Sequence, residues 1–200
     1  MDTHAACGFR NFVIALGHGG ERIREYFTTS SPDHGLEVEL VETGPDTDTG
    51  GRLHRLRPWL DSGRFLLSWS DGLSDVDLAD VVRFHAEHGR LATAVAVHPP
   101  SRFGRLELDG ARVVAFEEKP LDAHEWINAG ICVLEPGIFE WLDATCSWEH
   151  DVLPRLAEGG ELMAWQHDSF WQCVDTPKER EQMEQLWQEG RAPWRTRRRP

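Results

Sequence analysis

Apolar positions along the chain alternate between two spacings. Residues 11–16, Asn-Phe-Val-Ile-Ala-Leu, form a short continuous apolar run that reads as a strand, and 21–27 then carries Ile23, Tyr26 and Phe27 at helical spacing before the Ser30-Ser31-Pro32-Asp33 break. Leu36, Val38 and Leu40 alternate as in a half-buried strand, and the turn-forming residues 43–51 follow as a loop. Beyond them the pattern predicts a helix over 53–60, a buried strand over 65–69, and a helix over 77–88 with Leu78, Val81, Val82 and His85 on one face. A second buried strand follows over 91–97. Leu106 to Val114 reads as a hairpin turning at Asp109-Gly110. A strand near Gly130 to Leu134, a helix from about Trp148, a strand over 161–165 and a helix over 177–187, with Pro177 at its first position, complete the chain. Strand, helix and strand repeated with short links predict an α/β domain, a mostly parallel sheet covered by helices on both faces.

Composition narrows the class. The chain has 200 residues, of which 40% are hydrophobic and 28% charged, the balance of a globular domain that can bury a core. No apolar run approaches the ~18 residues a membrane helix needs, and the first residues lack the basic start and apolar stretch of a secretory signal. The expectation is a cytoplasmic protein with no membrane partner. A formal charge of −13 repels nucleic acid over most of the surface, despite the basic tail formed by 195–200. The cysteines Cys7, Cys132, Cys146 and Cys173 show no zinc or disulfide spacing and read as reduced thiols.

In open α/β sheets the chemistry gathers in loops beyond the carboxyl ends of strands. Ser70-Asp71-Gly72 follows the 65–69 strand, where Asp71 is either a turn residue or a carboxylate offered to a hard cation. Asp75 and Asp77 fit a helix N-cap; Asp75-Val76-Asp77 also spells the D-x-D of many sugar-nucleotide glycosyltransferases. Only Lys119 and Lys178 among the 21 cations are lysine. Lys119, between Glu118 and Pro120, is either a surface ion-pair partner or a point charge for a phosphate. Gly17-His18-Gly19-Gly20 lacks the third glycine of a dinucleotide fingerprint and reads as a strand-to-helix turn. His85 and His88 could clasp a metal but have no third ligand at matching spacing, which leaves core and surface roles. No G-x-S-x-G elbow is present, and Cys173 has no obvious base beside it.

Taken together, Thr49-Gly50-Gly51-Arg52-Leu53, Ser70-Asp71-Gly72, Pro99-Pro100-Ser101-Arg102-Phe103-Gly104, Glu118-Lys119-Pro120, Trp126-Ile127-Asn128-Ala129-Gly130, Phe170-Trp171-Gln172-Cys173-Val174-Asp175-Thr176 and Ala192-Pro193-Trp194 resemble the glucose-1-phosphate cytidylyltransferases, in the same order. The resemblance covers residues 1–194, which are expected to form one nucleotidyltransferase domain of Rossmann-like fold. It implies CTP and glucose 1-phosphate as substrates, CDP-glucose and diphosphate as products, and Mg²⁺ held by Asp71 and Asp175. It also implies Lys119 at the sugar phosphate, Glu118 and Asn128 at the sugar, and Thr49, Gly50, Gly51 and Arg52 along the nucleotide pocket. Homo-oligomerisation is left open.

The family opens with a strand and a G-G-x-G-T-R loop that this sequence lacks, and Met1 resembles an internal methionine of the family's first helix. Ser70 and Ala129 stand at family glycines, and Cys173-Val174 stands where Pro-Met is usual. Three charge-assisted phosphate bonds at about 1.5–3 kcal/mol each amount to on the order of 10³–10⁶ in rate. The 200 residues alone are therefore expected to be weakly stable and nearly inactive. The alternatives are a non-catalytic relative that binds sugar phosphate or a partner, and a different sugar-nucleotide enzyme using Asp75-Val76-Asp77.

Overall fold

The computed structural model describes residues 1–29, 35–99, 103–118 and 125–195. After a short helix α1 (Asp2–Ala6) come β1 (Asn11–Leu16), α2 (Gly20–Thr29) and β2 (Glu37–Glu42). β1 and β2 pair in parallel from Asn11 opposite Glu37 to Leu16 opposite Glu42, with α2 as the crossover. Two helices follow, α3 (Thr49–Arg55) and α4 (Arg57–Leu60), where the apolar pattern alone suggests one helix over 53–60. Pro58 explains the break: it has no backbone N–H to donate to the His54 carbonyl, so the hydrogen-bond ladder of α3 is interrupted and the chain restarts with Pro58 in the first turn of α4.

The central sheet contains β3 (Phe65–Ser68), β5 (Ala92–Val97), β8 (Ile127–Leu134) and β9 (Leu162–His167), ordered β3-β8-β5-β9. β5 and β9 are parallel, β8 runs antiparallel to both β3 and β5, and three of the four strands therefore share one direction. The reversal of β8 has a local cause. Among the described residues between β5 and β8 the chain forms the β6 (Arg105–Asp109) and β7 (Arg112–Glu117) hairpin rather than a crossover helix, so β8 returns as an antiparallel neighbour. That hairpin turns where the pattern predicts, with Gly110 at φ 60°.

Side-chain alternation gives the sheet two buried faces. Ala92, Cys132 and Leu134 point to one side, against Leu53 of α3, Ile138 and Phe139 of a 3₁₀ helix (Pro136–Trp141), Trp148 and Val152 of a π turn (Trp148–Val152), and Leu156 of α6 (Leu153–Glu158). Val95, Val97, Ile131 and Val133 point to the other, against Leu78 and Val81 of α5 (Leu78–His88). Asp77 caps α5 by accepting from the Ala79 amide at 3.0 Å, and Gly89 ends it at φ 66° in the left-handed region.

Two three-residue strands escape the sequence pattern. β4 (Gly72–Ser74) pairs antiparallel with β10 (Trp171–Cys173), Gly72 facing Cys173 and Ser74 facing Trp171. The last helix, α7 (Pro177–Gln188), starts in a capping box in which Thr176 and Glu179 exchange side-chain-to-backbone bonds. Among the described residues no helix is long and apolar enough to cross a membrane.

Candidate functional site

The pairing of β4 with β10 assembles the site. Asp71 immediately precedes β4 and Asp175 lies two residues beyond β10, so antiparallel pairing brings these distant carboxylates to the same end of the ribbon. A bond from the Val174 amide to the Asp71 carbonyl, 2.8 Å, extends the pairing to that end. The donor atoms of Asp71, Cys173 and Asp175 all lie within 4.8 Å of one another, with both aspartates exposed and Cys173 half-buried. Cys173 Sγ donates to Asp175 Oδ1 at 3.2 Å. Burial first, then the hydrogen bond to Asp175 and the charges of Asp71 and Asp175, push the thiol up to about 12. At neutral pH it is a neutral donor and not a nucleophile.

Asn128 lies in the segment that borders this ribbon. The Trp69 amide donates to the Gly130 carbonyl at 2.9 Å, and Trp171 Nε1 donates to the Ala129 carbonyl at 3.0 Å. The register of β8 against β5 shifts between Ala94 and Ala96, a bulge centred on Gly130 at φ 74°. A side chain there would be strained, and its Cβ would stand 3.2 Å from Trp69 Cβ. The exposed Asn128 side chain closes the bulge by accepting from the Gly130 amide at 3.0 Å. Glu118, just past β7, lies against Gly104, where a Cβ would stand 3.1 Å from its Oε2. Lys119, the cation that the sequence singles out, lies outside the described residues.

Thr49, Gly50, Gly51 and Arg52 form the first turn of α3. The Thr49 hydroxyl donates to Glu149 Oε2 at 2.6 Å and accepts from the Trp148 amide at 2.9 Å. Gly50 and Gly51 allow α3 to approach the 144–148 segment, and the Gly51 amide donates to the Cys146 carbonyl at 2.9 Å. Arg52 donates from Nη1 to Thr43 Oγ1 and to the Gly44 carbonyl, both at 2.8 Å, and from Nη2 to the Pro45 carbonyl at 3.1 Å. These four residues thus clamp α3 between the loop after β2 and the π turn.

The D-x-D carboxylates are both engaged. Asp77 caps α5, while Asp75 accepts from His167 Nε2 at 2.8 Å and from the Ser169 hydroxyl at 2.7 Å. Cys173 is the site residue that the sequence pattern leaves out. Its only signal is its position inside Trp171-Gln172-Cys173-Val174-Asp175, two residues before a candidate ligand.

Comparison with known proteins gives the arrangement a lineage. Residues 14–189 match the Nucleotidyl transferase family. The chain is 36% identical over 218 residues to the glucose-1-phosphate cytidylyltransferase of Salmonella typhi, covering 98% of this chain and 85% of that protein. The fold also matches HddC from Yersinia pseudotuberculosis with a TM-score of 0.73 at 17% identity, over 94% of this chain and 83% of that one. It matches the inositol-1-phosphate CTP transferase from T. maritima with a TM-score of 0.59 at 16% identity, over 89% and 77% of the two chains. With most of its length inside one family match and its fold shared with two solved structures, the chain belongs to the nucleotidyl transferase family.

Proposed function

We propose that the chain carries the site of a cytidylyl transfer, CTP plus α-D-glucose 1-phosphate giving CDP-glucose and diphosphate, in the cytoplasm. The observation that carries this reading is the convergence of Asp71 and Asp175 on the end of the β4–β10 ribbon in a chain of this family. The base and the sugar are taken from the Salmonella typhi relative. Two exposed carboxylates with room for substrate oxygens suit Mg²⁺, which takes few protein ligands. When bound, the ion would neutralise phosphate charge.

The chain's own residues then have simple tasks. The attacking oxygen belongs to a phosphate already ionised at pH 7, so no residue need act as a general base. That oxygen bonds to the α-phosphorus of CTP as the bond from this phosphorus to the bridging oxygen breaks, and diphosphate leaves with the electron pair. Asn128 and Glu118 orient the sugar, Lys119 meets its phosphate, and Thr49 to Arg52 shape the nucleotide side. Catalysis is alignment and charge neutralisation. The neutral Cys173 thiol takes no covalent part.

The test is to incubate the protein with CTP, glucose 1-phosphate and Mg²⁺ and to measure CDP-glucose and diphosphate. Formation of both, reduced by about 10²–10³-fold in Asp71→Asn and in Asp175→Asn, supports the transfer. Absence of both products supports the second reading, a non-catalytic relative that binds sugar phosphate or a partner. One observation favours that second reading: among the described residues, β1 pairs on one side only, with β2, so an apolar strand is left as an edge.

We also propose self-association. Opposed pairs Leu106–Phe116 and Leu108–Val113 put four exposed apolar side chains on one face of the β6–β7 hairpin, a surface suited to a second copy.

A further inference from the structure

The donor set at the end of the β4–β10 ribbon is of mixed chemical hardness. Asp71 and Asp175 offer carboxylate oxygens, and Cys173 offers sulfur from the strand residue facing Gly72. Cys173 ends β10, and Asp71 and Asp175 flank β4 and β10 where the two backbones are fixed to each other at Gly72–Cys173 and by the bond from the Val174 amide to the Asp71 carbonyl at 2.8 Å. Beneath them Gly72 lies beside β8 and Trp171 at ordinary contact distance, a Cβ there falling 3.5 Å from the Ala129 carbonyl oxygen and 3.6 Å from Trp171 Nε1. The scaffold is set, and only side-chain rotation remains.

We propose that Cys173 is a third ligand of this cation site, so that Asp71, Cys173 and Asp175 together bind a thiophilic divalent cation of the Zn²⁺ or Co²⁺ type. The proposal rests on the reading of Asp71 and Asp175 as the cation site. Distances support it. Metal–sulfur bonds near 2.3 Å and metal–oxygen bonds near 2.0–2.2 Å put tetrahedral ligands roughly 3.4–3.8 Å apart. Cys173 Sγ is already 3.2 Å from Asp175 Oδ1, and the whole set spans no more than 4.8 Å, so small rotations of exposed side chains close the shell.

Three protein ligands with two of them exposed leave an open position, as in catalytic rather than structural zinc sites. Mg²⁺, a hard ion, would use the carboxylates and leave the sulfur out, whereas a softer ion gains from it. On binding, the S–H bond breaks, a metal–sulfur bond forms and the proton passes to solvent. A site with this donor set prefers Zn²⁺ to Mg²⁺ in the absence of nucleotide.

Co²⁺ titrated into the intact chain without nucleotide tests the ligation, because a cobalt–thiolate bond adds a charge-transfer absorbance that carboxylates alone do not produce. The expected result is a saturable band that Zn²⁺ abolishes by competition and that Cys7→Ser, at the other half-buried thiol, leaves intact. Cys173→Ser should remove the band and weaken Co²⁺ binding roughly 10- to 100-fold, with the serine variant checked for unchanged thermal unfolding. Asp71→Asn and Asp175→Asn should weaken it as well.

No band in the unaltered protein, a band that survives Cys173→Ser, or a band lost with Cys7→Ser would overturn the proposal. The readout needs no substrate, so the two readings fail separately. CDP-glucose formed with Mg²⁺ but no cobalt band refutes the sulfur ligand alone, and a Cys173-dependent band without nucleotide product refutes the transferase reading alone.

Discussion

Gly50 and Gly51 lie where α3 approaches the 144–148 segment most closely. A Cβ on Gly51 would lie 2.5 Å from the Ala144 carbonyl oxygen, and one on Gly50 would lie 2.6 Å from Cys146 Sγ and 2.7 Å from the Cys146 carbonyl oxygen. Backbone oxygens cannot rotate away, so the helix must shift and the Gly51 amide bond to Cys146 lengthens. Gly51→Ala should therefore destabilise by about 1–3 kcal/mol, a fall in Tm of roughly 2–12 °C for a chain of this size. Gly63→Ala, where nothing lies within 4 Å, should leave Tm nearly unchanged when both are measured by thermal unfolding. The same glycines show why residues 43–51 look like a loop in the sequence. Glycine pairs signal turns locally, and only the contact with Cys146 and Ala144, distant in the chain, explains why they open a helix. Asp71 and Asp175 are legible through the motifs around them, whereas Cys173 becomes visible only when β4 and β10 pair.

At the level of elements, α5 is fastened to β5 by a chain of hydrogen bonds whose directions are fixed from one end. The Arg90 amide can only donate, so His88 Nδ1 accepts it at 2.9 Å and the proton of neutral His88 lies on Nε2, which faces Thr93 Oγ1 at 2.7 Å. Thr93 then donates to His85 Nδ1 at 2.8 Å, and His85 Nε2 donates to Glu135 Oε1 at 3.2 Å. Every member is satisfied while both histidines are neutral. A second proton on His88 would oppose an amide donor, and one on His85 would oppose the Thr93 hydroxyl.

Burial first, then the Arg64 guanidinium and His88, hold His85 below its ordinary value against the opposite pull of Glu135; burial, Arg90 and Arg64 lower His88. The unfolded chain therefore binds more protons than the folded one below the ordinary histidine value of about 6.5. Stability present above that value is lost as pH falls through it toward the folded values. Urea midpoints should fall between about pH 7.5 and about pH 5.5, with a shallower slope in His88→Gln; a slope equal to that of the unaltered chain would refute the relay. Helical spacing in the sequence puts His85 on the apolar face of α5. The chain through Thr93 depends on how that face meets β5, which no local pattern encodes.

Over the whole molecule, charge and exposed apolar surface oppose each other. The formal charge of −13 drives copies apart, but the β6–β7 hairpin is locally near balance, with Arg105 opposite Glu117 and Arg112 3.5 Å from Asp109 on its polar face. Its other face exposes Leu106, Leu108 and Val113, and Phe116 is 62% exposed. A two-stranded ribbon gains little stability by itself. Covering this face with the same face of a second copy, in the two-fold arrangement commonest among oligomers, buries apolar area without bringing the most acidic surfaces together. Long-range repulsion between copies weakens as salt shortens the screening length from about 30 Å at 0.01 M to about 8 Å at 0.15 M, whereas apolar contact does not. Self-association measured by sedimentation velocity should therefore rise over that range of salt. Phe116→Glu should suppress it at both concentrations, because the variant places like charges in the contact and leaves the folded core untouched. Association that falls with salt would point to contacts between oppositely charged patches instead, and association unchanged in Phe116→Glu would move the interface away from the hairpin, to the edges of β1 or β3 that no strand pairs among the described residues.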